Sequence, residues 1–391
     1  MRMFLFGATS LVLAPVVCAQ DLEEGWITDA ALDAAIVLGA GLENDPDNLD
    51  SDPALFEIGV DISTERTFQS GLTWGGRLVW RGQQDHRQRP AGGGGVAAGL
   101  SALSDIGAFS GLSDTVRADD GGPRGSLEAA YIFVEGGYGE VSLGRDTGIG
   151  ARFFEGDVSV LSATRLNRPV LDASGVSLLS TRNDLTGPSL KVSGTTPRIL
   201  GVRAGASFTP DADAAGLDRA PASGPDMTNI VEIGLNGSRR LRESGVRIRG
   251  GLTYAQGELA RDPGAPARKD FVDVWSAGAE IESGDTRFGV TWLASNEGIA
   301  GEDYSAWTMG VAHDWDAWSA SLTYGRATAE VADWESADIS LEAQRSLSDT
   351  VDVGLAYVSR DLQRLGASSP DLTDRIDSNG VVVEITLRLE N

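Results

Sequence analysis

The chain has 391 residues, 50 of them glycine, with 57 acidic against 32 basic residues, a formal net charge of −25 and one cysteine, Cys18. Such acidity argues against nucleic acid as a partner. It suits a solvent-exposed surface of an exported protein. Arg2, the apolar run from Phe4 to Val17, and Val17-Cys18-Ala19 before Gln20 read as a cleavable export signal over residues 1–19. Cleavage would remove the cysteine, and with it disulfides, thiolate nucleophiles and Cys-ligated zinc. A lipid anchor on Cys18 is the alternative, although Pro15-Val16-Val17 lacks the small residue expected before such a cysteine. No later stretch offers about eighteen consecutive apolar residues, so any membrane residence must come from strands. Residues 20–391 contain no low-complexity linker and read as a single domain.

Sixteen strands are predicted, spanning 28–42, 54–66, 71–83, 126–136, 139–147, 187–195, 198–209, 228–240, 245–258, 271–283, 286–297, 303–315, 318–330, 333–346, 350–361 and 379–390. The warrant is period-two alternation, since successive strand side chains point to opposite faces. Phe56, Ile58, Val60 and Ile62 alternate with Glu57, Gly59, Asp61 and Ser63. Phe288, Val290 and Trp292 alternate with Arg287, Gly289 and Thr291, and Val383, Ile385, Leu387 and Leu389 with Glu384, Thr386, Arg388 and Glu390. One face is oily throughout and the other polar. Connections alternate too. Tight turns fall at 67–70, 136–139, 195–198, 242–245, 283–285, 316–318 and 347–350, with longer connections between them, the largest at 84–125, 148–186, 210–227 and 362–378. A sandwich has no reason to gather its short turns at one end, whereas outer-membrane barrels pair short periplasmic turns with long outside loops. Trp80, Tyr254, Trp315, Trp318, Trp334 and Tyr357 lie toward predicted strand ends, where interfacial aromatics belong.

The stretch "YIFVEGGYGEVSLGRDTGIG", Tyr131 to Gly150, reads as strand, Gly-rich turn, strand and then Gly144-Arg145-Asp146 opening a long segment. With Glu155-Gly156-Asp157 in "RFFEGDVSV" and Pro188 to Asp211 after it, the layout resembles the general porin family of Gram-negative outer membranes, in particular the alphaproteobacterial kind. The resemblance implies a 16-stranded antiparallel transmembrane β-barrel with long external loops and a third loop, 148–186, folded inward to constrict the pore. It also implies a homotrimer. Two departures stand out. The proline of the family's loop motif is missing, and the chain ends Leu389-Glu390-Asn391 where the family usually ends on an aromatic read by the assembly machinery.

On this reading the polar faces line a lumen with Glu57, Asp61, Arg203, Arg247, Arg249, Arg287, Asp338, Glu342 and Glu384. Across the narrowest point, the resemblance implies loop acids opposite wall arginines, here Glu155 and Asp157 facing Arg77, Arg81 and Arg145. The field between them would orient dipolar solutes and set ion preference. For each residue the competing reading is local pairing or a solvated vestibule.

Glu43 to Asp52, "ENDPDNLDSD", gathers oxygen ligands without EF-hand spacing and is expected to be a solvated loop rather than a Ca²⁺ site. "AGGGG" at 91–95 lacks the Gly-Lys-Ser/Thr of a phosphate cradle. The two histidines, His86 in a predicted loop and His313 on an apolar face beside Trp315, have no serine and acid arranged around them for acyl transfer. No enzyme activity and no cofactor are expected. The expected function is an outer-membrane channel for passive diffusion of small hydrophilic solutes and ions, with lipid as its surroundings. The alternatives are a secreted non-membrane β-protein acting as a binding module, or a substrate-specific outer-membrane channel.

Overall fold

The computed structural model describes residues 25–41, 54–86, 106–112, 123–212, 217, 226–260, 268–365 and 375–390. The export signal, the Glu43 to Asp52 run and the 91–95 glycines lie outside the described residues. Sixteen strands form: β1 Ile27–Ala40, β2 Ala54–Thr67, β3 Thr73–Gln84, β4 Arg124–Gly136, β5 Gly139–Asp146, β6 Ser189–Thr195, β7 Val202–Asp211 and β8 Met227–Arg240. The second half of the ring is β9 Arg247–Leu259, β10 Phe271–Ser283, β11 Thr286–Ile299, β12 Glu302–Trp315, β13 Trp318–Ala329, β14 Trp334–Ser348, β15 Val351–Arg364 and β16 Arg375–Glu390. Each strand pairs antiparallel with its chain neighbours, and β1 pairs with β16 to close the barrel.

Closure leaves no sheet edge, so every strand can satisfy its backbone groups inside the sheet. The terminal alternation is what joins the ends. Ile36 stands opposite Ile385, Leu32 opposite Leu389 and Asp33 opposite Arg388, so oily positions are in register with oily ones and charged with charged. A one-residue slip would invert this match.

The two faces differ in surroundings. Leu341, Phe288, Val290, Ile132 and Leu143 are half exposed or more on the outer face. Ser340, Glu342, Thr291 and Ser142, one residue away, are buried inside. Leu322 sits in the outer face between Val311 and Leu341. Leu322→Arg is expected to destabilise folding into lipid vesicles by about 2–4 kcal/mol, as a cation facing hydrocarbon does. A measured cost below about 1 kcal/mol would mean that this face meets water.

The tight turns gather at one end, as expected. Gly284, at φ 60°, and Asp285 turn β10 into β11 within two residues, a conformation that favours glycine. At this end Trp315 and Trp318 face each other as register partners, and Trp26 packs edge-on against Trp74 at 4.8 Å between ring centroids. Trp334 departs from the expected girdle. It is buried inside, with the Arg364 guanidinium 5.3 Å from its ring centroid.

The other end differs from the expectation in two connections. β11 and β12 are joined only by Ala300 and Gly301, and β13 and β14 by a single 3₁₀ turn, Glu330–Ala332, with Asp333 in the left-handed region. Residues 106–112 cover the first of these strand ends, with Ala108 N donating to Glu297 O and Ser110 N and Oγ to the Glu297 carboxylate.

The inner face is not polar along its whole height. Toward the long-connection end, Val37, Leu55, Ile230, Val272, Val274, Leu293, Val358 and Val382 are buried in one apolar cluster with Leu161, Leu166, Leu171, Leu179 and Leu185. The last five come from residues 147–188, which join β5 to β6 and contain one short helix, α1 Ile149–Arg152. The core of the molecule is therefore formed between the barrel wall and this connection, a distribution that uniform alternation did not anticipate.

Candidate functional site

Residues 149–186 are held to wall side chains by hydrogen bonds along most of their length. Two wall carboxylates do much of this. Glu384 on β16 accepts from Ser162 N and Oγ, Ala163 N, and Thr164 N and Oγ1 at 2.8–3.2 Å. Glu342 on β14 accepts from Ser159 Oγ, Val160 N and Ser321 Oγ at 2.7–3.0 Å through Oε2, and from Ser340 Oγ at 3.0 Å through Oε1. Convergent donors replace the hydration that such buried carboxylates lose.

Further along, Tyr304 Oη donates to Leu178 O or Ser180 O and accepts from Ser180 N. Thr181 Oγ1 meets Thr291 Oγ1 at 2.7 Å, and Ser276 Oγ donates to Thr181 O at 2.7 Å. Glu232 accepts from Ser207 Oγ and Thr186 Oγ1, and Lys191 Nζ donates to Thr186 Oγ1 and Gly187 O. One buried arginine ties the connection to the wall, and a second ion pair braces the connection internally. Arg360 on β15 lies 3.4 Å from Asp338 on β14 and 3.7 Å from Asp172 of the connection, and Arg168 lies 2.7 Å from Asp184.

Glycines make room for the backbone. A Cβ at Gly251 on β9 would collide with Phe153 O, one at Gly278 on β10 with Glu155 O, and one at Gly289 on β11 with Gly156 O. These glycines point inward on successive strands, with Gly251 and Gly278 direct register partners. Any side chain there would displace residues 153–156 from the wall. Alternation alone places Gly251 and Gly289 among the polar-side strand residues, without saying what approaches them. Their inward parity within strands was the available signal.

The expected lumen residues fall into two groups. Arg203 on β7 places its guanidinium 4.8 Å from the Phe153 ring centroid. Arg247 and Arg249 on β9 lie 3.6 and 2.8 Å from Glu282, and Arg287 on β11 lies 3.5 Å from Asp314. With Asp338, Glu342 and Glu384, these belong to the wall from β7 to β16, much of which residues 149–186 cover. On β2 and β3, Arg81 lies 2.6 Å from Glu57, and Arg77 bonds Asp61 with its Nε 3.0 Å from Oδ1. Of this second group Arg77 is exposed, whereas Arg81 and Glu57 are covered at least as deeply as Arg247 and Arg249.

The expected constriction set is brought together only in part. Glu155 accepts from Asn236 Nδ2 on β8 at 2.9 Å, and Asp157 accepts from Ser159 N at 3.2 Å. Both lie against β8–β11, whereas Arg77 and Arg81 are on β3, about halfway round the ring. Arg145 is a correction. It is the register partner of Leu190 and follows Val141 and Leu143 on the same face of β5, all three of them exposed outward, and its Nε donates to Leu127 O. Arg152 of α1 takes the inward position instead, 2.9 Å from Glu140 and 3.9 Å from Asp146. His86 lies against Gly175, while His313 is outward, stacked on Trp315 and 2.9 Å from Thr286 Oγ1.

A closed antiparallel barrel, oily outside and polar within, gives lipid one face and solutes the other. Among solved structures, OprB of Pseudomonas putida aligns with a TM-score of 0.59 at 10% identity, covering 93% of this chain and 94% of that one. OmpF of Salmonella typhi, in a complex with daunomycin, aligns at 0.56 and 11%, covering 93% and 97%. OmpT of Vibrio cholerae, in a trimer form, aligns at 0.53 and 12%, covering 94% and 99%. At these identities the likeness speaks for the fold alone. A comparison with curated proteins finds no match. A family model described as Gram-negative porin matches residues 31–363, most of the barrel. The chain thus belongs to the Gram-negative porins, channels of the outer membrane for passive diffusion.

Proposed function

We propose that small hydrophilic solutes and ions cross this channel along the β1–β5 side of the lumen, past a constriction made by residues 148–186. The observation that carries this reading is the lopsided attachment of that segment. Its hydrogen bonds run mainly to β7–β16, while Arg77 on β3 stays exposed beside Asp61 on β2. Water and solutes follow the wall where Arg77 and Asp61 offer charged groups, because the apolar cluster, which takes in Val37 of β1 and Leu55 of β2 as well, offers them no hydrogen bonds. No enzymatic step is needed for this function. Assembly as a homotrimer is part of the proposal, supported by the trimer form of the similar OmpT.

Within that passage Glu155 and Asp157 bear negative charge toward a wall bearing Arg77 and Arg81, with Arg152 beside them in place of Arg145. A transverse field of this kind orders dipolar solutes and is strengthened by low-dielectric walls. Asp157→Asn with Glu155→Gln is expected to shift the reversal potential under a salt gradient toward anion preference. An unchanged potential would remove both acids from the permeation path.

Burial pushes the Asp157 carboxyl above the ordinary carboxylate range, against the lowering influence of Arg165. The folded state therefore binds this proton more tightly than the unfolded chain. The cost of the buried charge is present above the folded-state pKa and relieved as pH falls through it. Cation preference is accordingly expected to weaken at a higher pH than an ordinary aspartate would give, and Asp157→Asn should remove that component of a reversal-potential titration.

A further inference from the structure

A cavity of about 240 Å³ lies between the β1–β2–β16 wall and residues 162–170 of the connection. Its polar lining is Asp33, Glu57, Arg388, Ser162 and Thr386, and Val170 contributes an apolar patch. The charged groups here are arranged unlike those elsewhere in the lumen. Asp33 and Arg388 are direct register partners across the β1–β16 seam, where opposed side chains ordinarily meet. Yet among the described residues neither side chain has an ion-pair or hydrogen-bond partner. By contrast Arg77 with Asp61, Arg249 with Glu282 and Arg360 with Asp338 are all paired. An unpaired anion and an unpaired cation, both exposed, thus line one small cavity together with two hydroxyl residues.

We propose that this cavity is a subsite for small zwitterionic solutes of the amino-acid type. The inference rests on the diffusion pathway argued above and names a solute class for it. The ammonium group of the solute sits against Asp33, with the Glu57 carboxylate nearby. Its carboxylate meets the Arg388 guanidinium, helped by the Thr386 hydroxyl. The site is smaller than the roughly 300–1,000 Å³ typical of pockets for drug-sized ligands, which selects a solute of few heavy atoms. A solute carrying only one charge would leave either Asp33 or Arg388 without its counterpart, and so binds less well than one carrying both. Binding at a station beside the path is weak enough for release, which conduction requires.

The test is equilibrium dialysis of radiolabelled glycine against the full mature chain refolded in detergent, with planar-bilayer recording of the same preparation. Saturable glycine binding is expected, weakened about tenfold or more by Asp33→Asn and by Arg388→Gln, the scale of one lost charge-assisted hydrogen bond. Methylamine and acetate should each compete far less well than glycine. Asp33→Glu and Arg388→Lys, which keep the charges, should retain saturable binding and serve if the neutral variants fail to fold. Non-saturable partition that is the same in wild type and variants would overturn the proposal, as would acetate competing as well as glycine. Ion conduction without glycine binding removes the subsite and leaves the channel. Glycine binding without conduction removes the diffusion pathway and leaves the subsite.

Discussion

Gly278→Val is expected to raise single-channel conductance by lifting residues 153–158 from the β10 wall. A Cβ at this position would collide with Glu155 O, a backbone atom with no rotamer to retreat into. The neighbouring wall offers no relief, because Gly251 and Gly289 receive the same segment at Phe153 O and Gly156 O. Overpacking costs typically 1–3 kcal/mol, roughly the net worth of one or two of the hydrogen bonds that hold the segment. Displacement is therefore the easier response than barrel distortion, since the closed ring of paired strands resists the latter. Gly237→Ala is the control. It lies outward on β8, and its nearest neighbour, the Val202 side chain, would be 3.6 Å from the new Cβ. Conductance of Gly278→Val equal to wild type, from protein shown to be folded, would mean that residues 153–158 do not limit the passage.

The second large effect is expected at Arg360, which is 3% exposed between Asp338 and Asp172, each 1% exposed. Arg360→Met keeps much of the side-chain volume but leaves two carboxylates in the interior without their guanidinium. Breaking a buried pair in this way costs about 3–5 kcal/mol, far more than losing a surface bridge such as Arg375–Asp361. Because Asp172 also accepts from Ser174 N and Oγ and Ser177 N, the loss should spread into residues 172–177. Urea unfolding of the reconstituted protein measures the stability, and protease sensitivity within 165–186 reports the local loosening. Adding Asp338→Asn and Asp172→Asn to Arg360→Met should recover a large part of the loss, since neutral amides need no cation. A destabilisation below about 0.5 kcal/mol for the single variant would show that water reaches this cluster.

Residues 149–186 have a composition that suits this double attachment. Leu161, Leu166, Leu171, Leu179 and Leu185 enter the apolar cluster, while Ser159, Ser162, Thr164 and Thr181 supply donors to wall carboxylates and hydroxyls. The connection is thus covered as a core is covered. Its burial, rather than its length, distinguishes it from an exposed loop.

What the sequence by itself determined is the wall. Alternation, with turns at alternate strand ends, is a local signal of period two, so β8, β10 and β13 could be located within a residue or so of their bounds. It was weaker where locality failed. Leu200 stands at positive φ before β7, so strand structure begins at Val202 rather than 198, and β16 starts at Arg375 because it pairs with the end of β15, which no local pattern announces. Arg145 shows the signal being overridden. Its parity with Val141 and Leu143 already placed it outward, and only the resemblance of Gly144-Arg145-Asp146 suggested the lumen.

Only the tertiary structure decided what fills the barrel. Local parity puts Gly251, Gly278 and Gly289, like Val37 and Leu293, on the inner face, but nothing local says that a segment from far along the chain packs against them. The same holds for Asp33 and Arg388, which lie more than 350 residues apart and meet only because the first and last strands close the ring. Pairing is written in short-range pattern, whereas the path left open through the lumen depends on long-range packing.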